Sequence, residues 1–201
     1  MRVNAGDRTM TRSEVTLGIL AGGRATRLDG VDKAWLLRGG VPQVLRWQRR
    51  FAAEVSRTLV SANRDLPRYA DAGLEAVADR VAGDVGPLAG VDALLARCAT
   101  SWLLTLPVDL VGVNECLLPT LAAGAGEAGA FAIDDDGVQP LVALWHVARA
   151  RASVADALAQ ASHSVRSAQQ ALAMHGVRFA GVRFGNLNTP ADLAAAGAGI
   201  P

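Results

Sequence analysis

Leu20-Ala21-Gly22-Gly23-Arg24-Ala25-Thr26-Arg27-Leu28-Asp29-Gly30-Val31-Asp32-Lys33 gathers small residues and cations into one stretch of chain. Small residues let backbone N–H groups close on an anion, and Arg27 and Lys33 add full positive charges to the same loop. That chemistry suits a triphosphate. Lys33 is the sole lysine among 20 basic residues, and a compact ammonium is not interchangeable with the planar guanidinium used elsewhere. By glycine content alone, a turn with solvated charges explains the segment equally well.

Carboxylates and amides follow other apolar runs. Asp109 comes directly after Leu106-Pro107-Val108, where a carboxylate reaches the crevice beyond a strand and can offer hard oxygen to magnesium. An ordinary turn acid is the plain alternative. Asn63 and Asp79 end two further runs, placed to hydrogen-bond a nucleotide. A carboxylate accepts from two adjacent N–H donors, which guanine presents and adenine does not, so Asp79 is the candidate base reader; a loop-capping Asp is its alternative. Gly86-Pro87-Leu88-Ala89-Gly90 allows close backbone approach ahead of a helix starting near Leu88, or is merely a helix-start loop.

Other signatures lack the right context. Gly124-Ala125-Gly126-Glu127-Ala128-Gly129 matches G-x-G-x-x-G, but it follows a helical pattern and precedes a strand, the reverse of a dinucleotide site. No G-x-x-x-x-G-K-[ST] or G-x-S-x-G occurs, and His146, His163 and His175 lack metal-ligand spacing. Asp134-Asp135-Asp136-Gly137 between two apolar runs reads as a hairpin turn rather than a metal cluster.

The elements that must position these residues alternate. Strands are expected at 15–21, 58–62, 74–78 and 102–106, with further ones at 129–133, 141–145 and 177–184. Residues 43–56 put Val44, Trp47, Phe51 and Val55 on one helical face; 154–161 and 165–174 look similar. Pro119 spoils a clean helix after Asn114. Thr189-Pro190-Ala191-Asp192 has Thr at the N-cap, Pro at N1 and an acid at N3. Alternation of this kind implies an α/β fold whose mostly parallel sheet is covered on both faces.

With 201 residues, 51% of them hydrophobic, a single domain with a sizeable core is expected over 15–201, behind a disordered leader at 1–14. A formal charge of +1 is too balanced for a protein that holds nucleic acid by neutralising phosphates. No run of apolar residues is long enough to span a membrane, and no secretory leader is evident, so a cytoplasmic location is expected. Cys98 and Cys116 read as reduced core residues.

In its spacing, L-A-G-G-x-x-x-R-x-x-G-x-D-K resembles the signature loop of nucleotidyltransferases, and most of all that of the molybdenum cofactor guanylyltransferase family. Ser61-Ala62-Asn63-Arg64, Asp79 with Gly86-Pro87-Leu88-Ala89-Gly90, Leu106-Pro107-Val108-Asp109 and Phe184-Gly185-Asn186-Leu187-Asn188-Thr189-Pro190-Ala191-Asp192-Leu193 resemble later family motifs, in the family's order. The resemblance implies a three-layer Rossmann-like nucleotidyltransferase fold. It implies magnesium-dependent transfer of GMP from GTP to the phosphate of molybdenum-bound molybdopterin, releasing pyrophosphate. Arg27, Lys33 and Asp109 would be catalytic, with Asp109 on the metal. Leu20, Ala21, Gly22, Gly23, Lys33, Asn63, Asp79, Gly86, Gly90 and Asp109 would bind GTP. Asn186 and Asn188 would lie beside the metal and the acceptor, and Arg166 would meet the acceptor phosphate. Transient contact with proteins that handle molybdopterin, or with molybdoenzymes, is also implied.

Two departures bear on this reading. Leu28-Asp29-Gly30 stands where the family has Met-Gly-Gly, adding a negative charge to the phosphate loop, and Leu110-Val111-Gly112-Val113 follows Asp109 where prolines are usual. A cytidylyltransferase on the same pterin, a sugar-phosphate nucleotidyltransferase, and a non-catalytic nucleotide or cofactor carrier are the alternatives. Asn186-Leu187-Asn188-Thr189-Pro190 favours guanine, because cytidylyl relatives tend to close with D-x-D-T-P.

Overall fold

Val15–Leu20 is buried along its whole length, as a continuous apolar strand must be when helices cover both sheet faces. It forms β1, the centre of a computed structural model that describes residues 10–22, 32–83 and 85–199. The next elements are β2 (Leu37–Arg38), β3 (Val41–Pro42), α1 (Gln43–Phe51), β4 (Arg57–Ser61), α2 (Leu66–Asp71), β5 (Glu75–Val77), α3 (Pro87–Arg97) and β6 (Trp102–Pro107). Then come β7 (Leu110–Val111), α4 (Leu117–Gly124), β8 (Gly129–Asp134), β9 (Gly137–His146), α5 (Val147–Ala159) and α6 (Val165–Ala171). The chain closes with β10 (His175–Arg178), β11 (Gly185–Asn186), α7 (Pro190–Ala195) and β12 (Ala198–Gly199).

The main sheet has the order β10-β8-β9-β6-β1-β4-β5. Its strands run parallel except β9, which is antiparallel to both β6 and β8. On one face, Val44, Trp47 and Phe51 of α1 pack with Tyr69 of α2 and Leu117 and Leu121 of α4. On the other, Leu88, Val91 and Leu94 of α3 meet Ala150 and Val154 of α5 and Ala168 of α6. The result is the expected three-layer α/β architecture, with the carboxyl ends of β1, β4, β5 and β6 along one edge. Small ribbons, β7 with β11 and β2 with β3 and β12, dress that edge.

Several expectations change in detail. Arg12–Glu14, counted with the leader, form a 3-10 turn with a Thr11 capping box, and Arg12 Nε donates to the Val55 carbonyl at 2.9 Å. Pro119 lies inside α4 rather than breaking it: it occupies the first turn, where a missing N–H leaves no intrahelical bond unmade. The expected strand at 177–184 is instead β10 and an irregular stretch, with Phe179 and Phe184 in edge-on ring contact at 5.8 Å. Cys98 is buried, but Cys116 is exposed at the N-cap of α4, so only the first is a core residue.

The Asp134-Asp135-Asp136-Gly137 turn does join β8 to β9. Its first carboxylate is fully buried and accepts from the amides of Asp136, Gly137 and Phe184 and from Gln139 Nε2.

Candidate active site

Two polar clusters flank the carboxyl end of β1. The first forms around Lys33, which opens a 3-10 turn (Lys33–Trp35) capped by Asp32, whose Oδ1 accepts from the Ala34 amide at 2.9 Å. Trp35 anchors this turn: it is buried against Tyr69, with ring centroids 5.1 Å apart, and covered by the Arg68 guanidinium at 4.2 Å. Burial, and then the Asp32 carboxylate, push the Tyr69 hydroxyl well above its ordinary value, so it stays protonated and donates to Asp32 Oδ2 at 3.4 Å.

From that platform Lys33 Nζ donates to Asp109 Oδ2 at 2.6 Å and to Asn188 Oδ1 at 2.6 Å. The Lys33 and Asp109 side chains are 20% and 17% exposed, so the pair attracts more strongly than it would in open water. Asn188 is aimed by the helix start that follows it. Thr189 and Asp192 form a capping box, and the Asn188 amide donates to Asp192 Oδ2 at 3.0 Å. Hydrogen bonding with the Thr189 hydroxyl, then the Asn188 and Thr189 amides, holds the Asp192 carboxyl below the usual range.

The peptide that carries Asp109 is fastened on every side. Val108 N donates to the Leu20 carbonyl at 3.0 Å, and Leu187 N to the Asp109 carbonyl at 2.9 Å. From α1, Trp47 Nε1 donates to the Val108 carbonyl at 3.0 Å and Gln43 Nε2 to the Leu110 carbonyl at 3.1 Å. Gln43 and Trp47, one helical turn apart, thus hold the carbonyls on either side of Asp109. Sequence reasoning misses this role. Along the chain Trp47 reads only as part of an apolar face and Gln43 only as the start of a helix, although a glutamine among such neighbours is a signal for a buried side-chain hydrogen bond.

The second cluster lies on the β4 and β5 side. Asn63 and Asp79 bond reciprocally: Asn63 Nδ2 donates to Asp79 Oδ2 at 2.8 Å, and Asp79 N donates to Asn63 Oδ1 at 2.9 Å. Asp79 Oδ1 is buried without a partner among the described residues. Gly22 brings the end of β1 against this pair, since a Cβ there would lie 3.9 Å from Asn63 Nδ2. Ala21 N is tied to the Ser61 carbonyl at 2.9 Å.

Gly86 is the N-cap of α3, whereas Gly90 lies within the helix, where a Cβ would come 2.6 Å from Ser61 Oγ. Gly90 therefore serves close packing of α3 on β4. Sequence reasoning also misses Asp92 of α3. It is buried beside Arg80, with Nη1 to Oδ2 at 3.4 Å, and burial first, then the nearby Asp79, raise its carboxyl above the ordinary value against the pull of Arg80.

The structure thus brings Lys33, Asp109 and Asn188 together, with Leu20 and Asn186 on the adjoining strands. It sets Gly22, Asn63 and Asp79 on the opposite flank of β1. Arg166 stands apart on α6, exposed, donating to the Val138 carbonyl at 3.5 Å, and none of its described contacts is with either cluster. Gly23, Arg27 and Asp29 lie outside the described residues.

Magnesium fits the donor set near Lys33. Among the described residues no three His, Cys, Asp or Glu side chains gather as an all-protein cage, and Asp109 Oδ1 accepts no hydrogen bond. One carboxylate completed by substrate phosphates is the mode magnesium favours.

The mostly parallel, doubly covered sheet gathers a lysine, a carboxylate and an amide at its strand ends, and the chain's family and relatives make it a nucleotidyltransferase. The chain belongs to the MobA-like NTP transferase domain family, whose model matches residues 17–178.

The molybdenum cofactor guanylyltransferase of Yersinia pseudotuberculosis serotype O:1b (strain IP 31758) is 35% identical over 181 residues, 89% of this chain and 92% of that protein. The protein of the same name from Yersinia pestis (strain Pestoides F) is 34% identical over the same shares. In fold, the chain is similar to molybdopterin-guanine dinucleotide biosynthesis protein A of Archaeoglobus fulgidus, with a TM-score of 0.67, 20% identity and coverage of 90% and 96%. It is also similar to 2-C-methyl-D-erythritol 4-phosphate cytidylyltransferase of Thermus thermophilus, with a TM-score of 0.65, 21% identity and coverage of 94% and 98%.

Proposed function

We propose that this enzyme transfers GMP from GTP to the terminal phosphate of molybdopterin, giving the guanine dinucleotide and pyrophosphate. The observation that carries the reading is the convergence of Lys33, Asp109 and Asn188 within hydrogen-bonding distance at the end of β1, in a chain similar throughout to proteins named for this reaction. An acceptor phosphate oxygen forms a bond to the α-phosphorus of GTP. The bond from that phosphorus to the β-phosphate bridging oxygen breaks, and pyrophosphate leaves with the electron pair. The nucleophile is already anionic, so no general base is needed, and catalysis rests on alignment and on neutralising charge.

Lys33 supplies the ammonium next to the transferring phosphate, positioned by its turn and released to substrate from Asp109 and Asn188. Asp109 would hold magnesium, which when bound screens phosphate charge. Asp79 reads guanine: a carboxylate can accept from the two adjacent N–H donors that this base presents, and Asn63 braces it through Oδ2. Gln43 and Trp47 keep the Asp109 peptide in place. Delivery of the labile product by transient contact with a molybdenum enzyme belongs to the same reading.

The test is a nucleotide panel followed by turnover. A ligand that binds only the native state raises the melting temperature with its concentration, so GTP with magnesium is expected to give a larger shift than CTP, ATP or UTP. Pyrophosphate is then expected from GTP only when molybdopterin is added. A larger shift with CTP assigns the site to cytidylyl transfer, and GTP binding without turnover makes the protein a carrier.

A further inference from the structure

Beside the peptide that carries Asp109, a cleft of about 170 Å³ opens between the β2–β3 hairpin, the flank of α1 and the turn after β7. Arg38, Arg46 and Arg50 line it, with Gln43 and Trp47 and the turn at Gly112 and Val113, and among the described residues no acidic one is in its walls. Among the described residues, only one of the three guanidinium groups has a carboxylate partner: Arg50 pairs with Glu54, one turn along α1, and also donates to the Asn114 carbonyl at 3.1 Å. Arg38 donates through Nε to the Ala196 carbonyl at 3.1 Å, and Arg46 through Nη1 to the Arg38 carbonyl at 3.2 Å. Among the described residues neither makes an ion pair.

Two half-buried guanidinium groups face the same cleft with their charge uncompensated. Burial and then the neighbouring Arg46 pull the Arg38 guanidinium below its ordinary value, the effect expected of like charges crowded out of water. Each guanidinium keeps several N–H donors that its carbonyl partner does not use.

We propose that Arg38 and Arg46 form a binding site for a phosphate-class dianion, seated against Gln43 and Trp47 and separate from the triphosphate site. A dianion matches the two uncompensated charges, where a lone carboxylate would leave one. Its tetrahedral oxygens can accept from two guanidinium forks at once, the geometry in which arginine binds phosphate most strongly. The cleft suits a single phosphoryl group, whether free phosphate or the end of a phosphorylated organic molecule.

Calorimetric titration of the full-length protein tests the site, with inorganic phosphate and phenyl phosphate as probes, in chloride of matched ionic strength with EDTA. Arg38→Gln/Arg46→Gln is expected to weaken phosphate binding by roughly tenfold or more, while Lys33→Ala leaves it unchanged. Arg38→Lys/Arg46→Lys, which keeps both charges but loses the forks, is expected to fall between, and serves if the glutamine variant does not fold. Tighter binding of phenyl phosphate marks an organic phosphomonoester as the occupant; preference for inorganic phosphate marks the free ion. The inference is overturned if Lys33→Ala abolishes binding and the arginine variants keep it, or if the wild type binds neither probe. Neither result bears on GTP transfer, which the nucleotide panel decides separately.

Discussion

Lys33 and Asp109, 76 residues apart in the chain, meet at 2.6 Å through Nζ and Oδ2. Asn188 shares the ammonium, its Oδ1 accepting from Nζ at 2.6 Å. Lys33→Arg keeps the charge but replaces a compact ammonium with a planar fork too large for the gap between Asp109 and Asn188. Turnover is expected to fall roughly a hundredfold, with the melting temperature of the free protein little changed. Near-normal steady-state rates for Lys33→Arg would remove Lys33 from the reaction.

Asp109→Ala is expected to abolish magnesium-dependent pyrophosphate release while leaving weaker GTP binding without metal. Titrating magnesium into both proteins at saturating GTP is the check. An unchanged metal dependence of the rate would show that this carboxylate does not hold the ion.

Trp47 and Gln43 act on Asp109 only through the backbone. Trp47→Phe leaves the buried Val108 carbonyl without its donor, a loss of about 1–3 kcal/mol of stability. Loosening a group that supports a metal-binding carboxylate costs roughly tenfold to a hundredfold in activity. The fall is expected in kcat, with KM for GTP nearly constant, and Gln43→Leu should behave alike at the Leu110 carbonyl. If stability falls but kcat does not, the two side chains are structural only.

Asp79→Asn exchanges a carboxylate for an amide that can present only one acceptor oxygen. The ratio of kcat/KM for GTP over ATP is expected to drop by about tenfold or more. Equal ratios in variant and wild type would make the Asn63–Asp79 pair a loop brace.

Asp134 offers a pH test of the fold alone. Burial by itself would raise its carboxyl, but the amides of Phe184, Asp136 and Gly137 and the side chain of Gln139 outweigh that and hold it below the ordinary value. A depressed value in the fold means that the stabilisation is complete above the unfolded value of about 3.9 and is lost as pH falls through the folded one. Asp134→Asn is therefore expected to be less stable by about 1–3 kcal/mol at pH 7, with the gap closing in strong acid. Urea melts at both pH values decide it, and a gap independent of pH would contradict the assignment.

What could be read from the chain was local. The apolar run of β1 leading into glycines, the D-G turn between β8 and β9, and the Thr189 capping box each depend on residues within a few positions of one another, and each stands where expected. Strand–helix alternation was likewise enough for the three-layer α/β class, because each element's periodicity records which of its faces is buried.

Tertiary structure alone decided which of the marked residues meet. Lys33 joins Asn188 across 155 positions, while Arg166, marked only by a loose likeness of Ser164-Val165-Arg166 to the family's basic stretch, makes its described contact with the Val138 carbonyl instead, because separation along a chain says nothing of distance once the sheet order is set. The hold of Gln43 and Trp47 on the Asp109 peptide was hidden for a related reason. A buried donor must find an acceptor, but the carbonyl it finds belongs to whichever backbone the packing brings alongside.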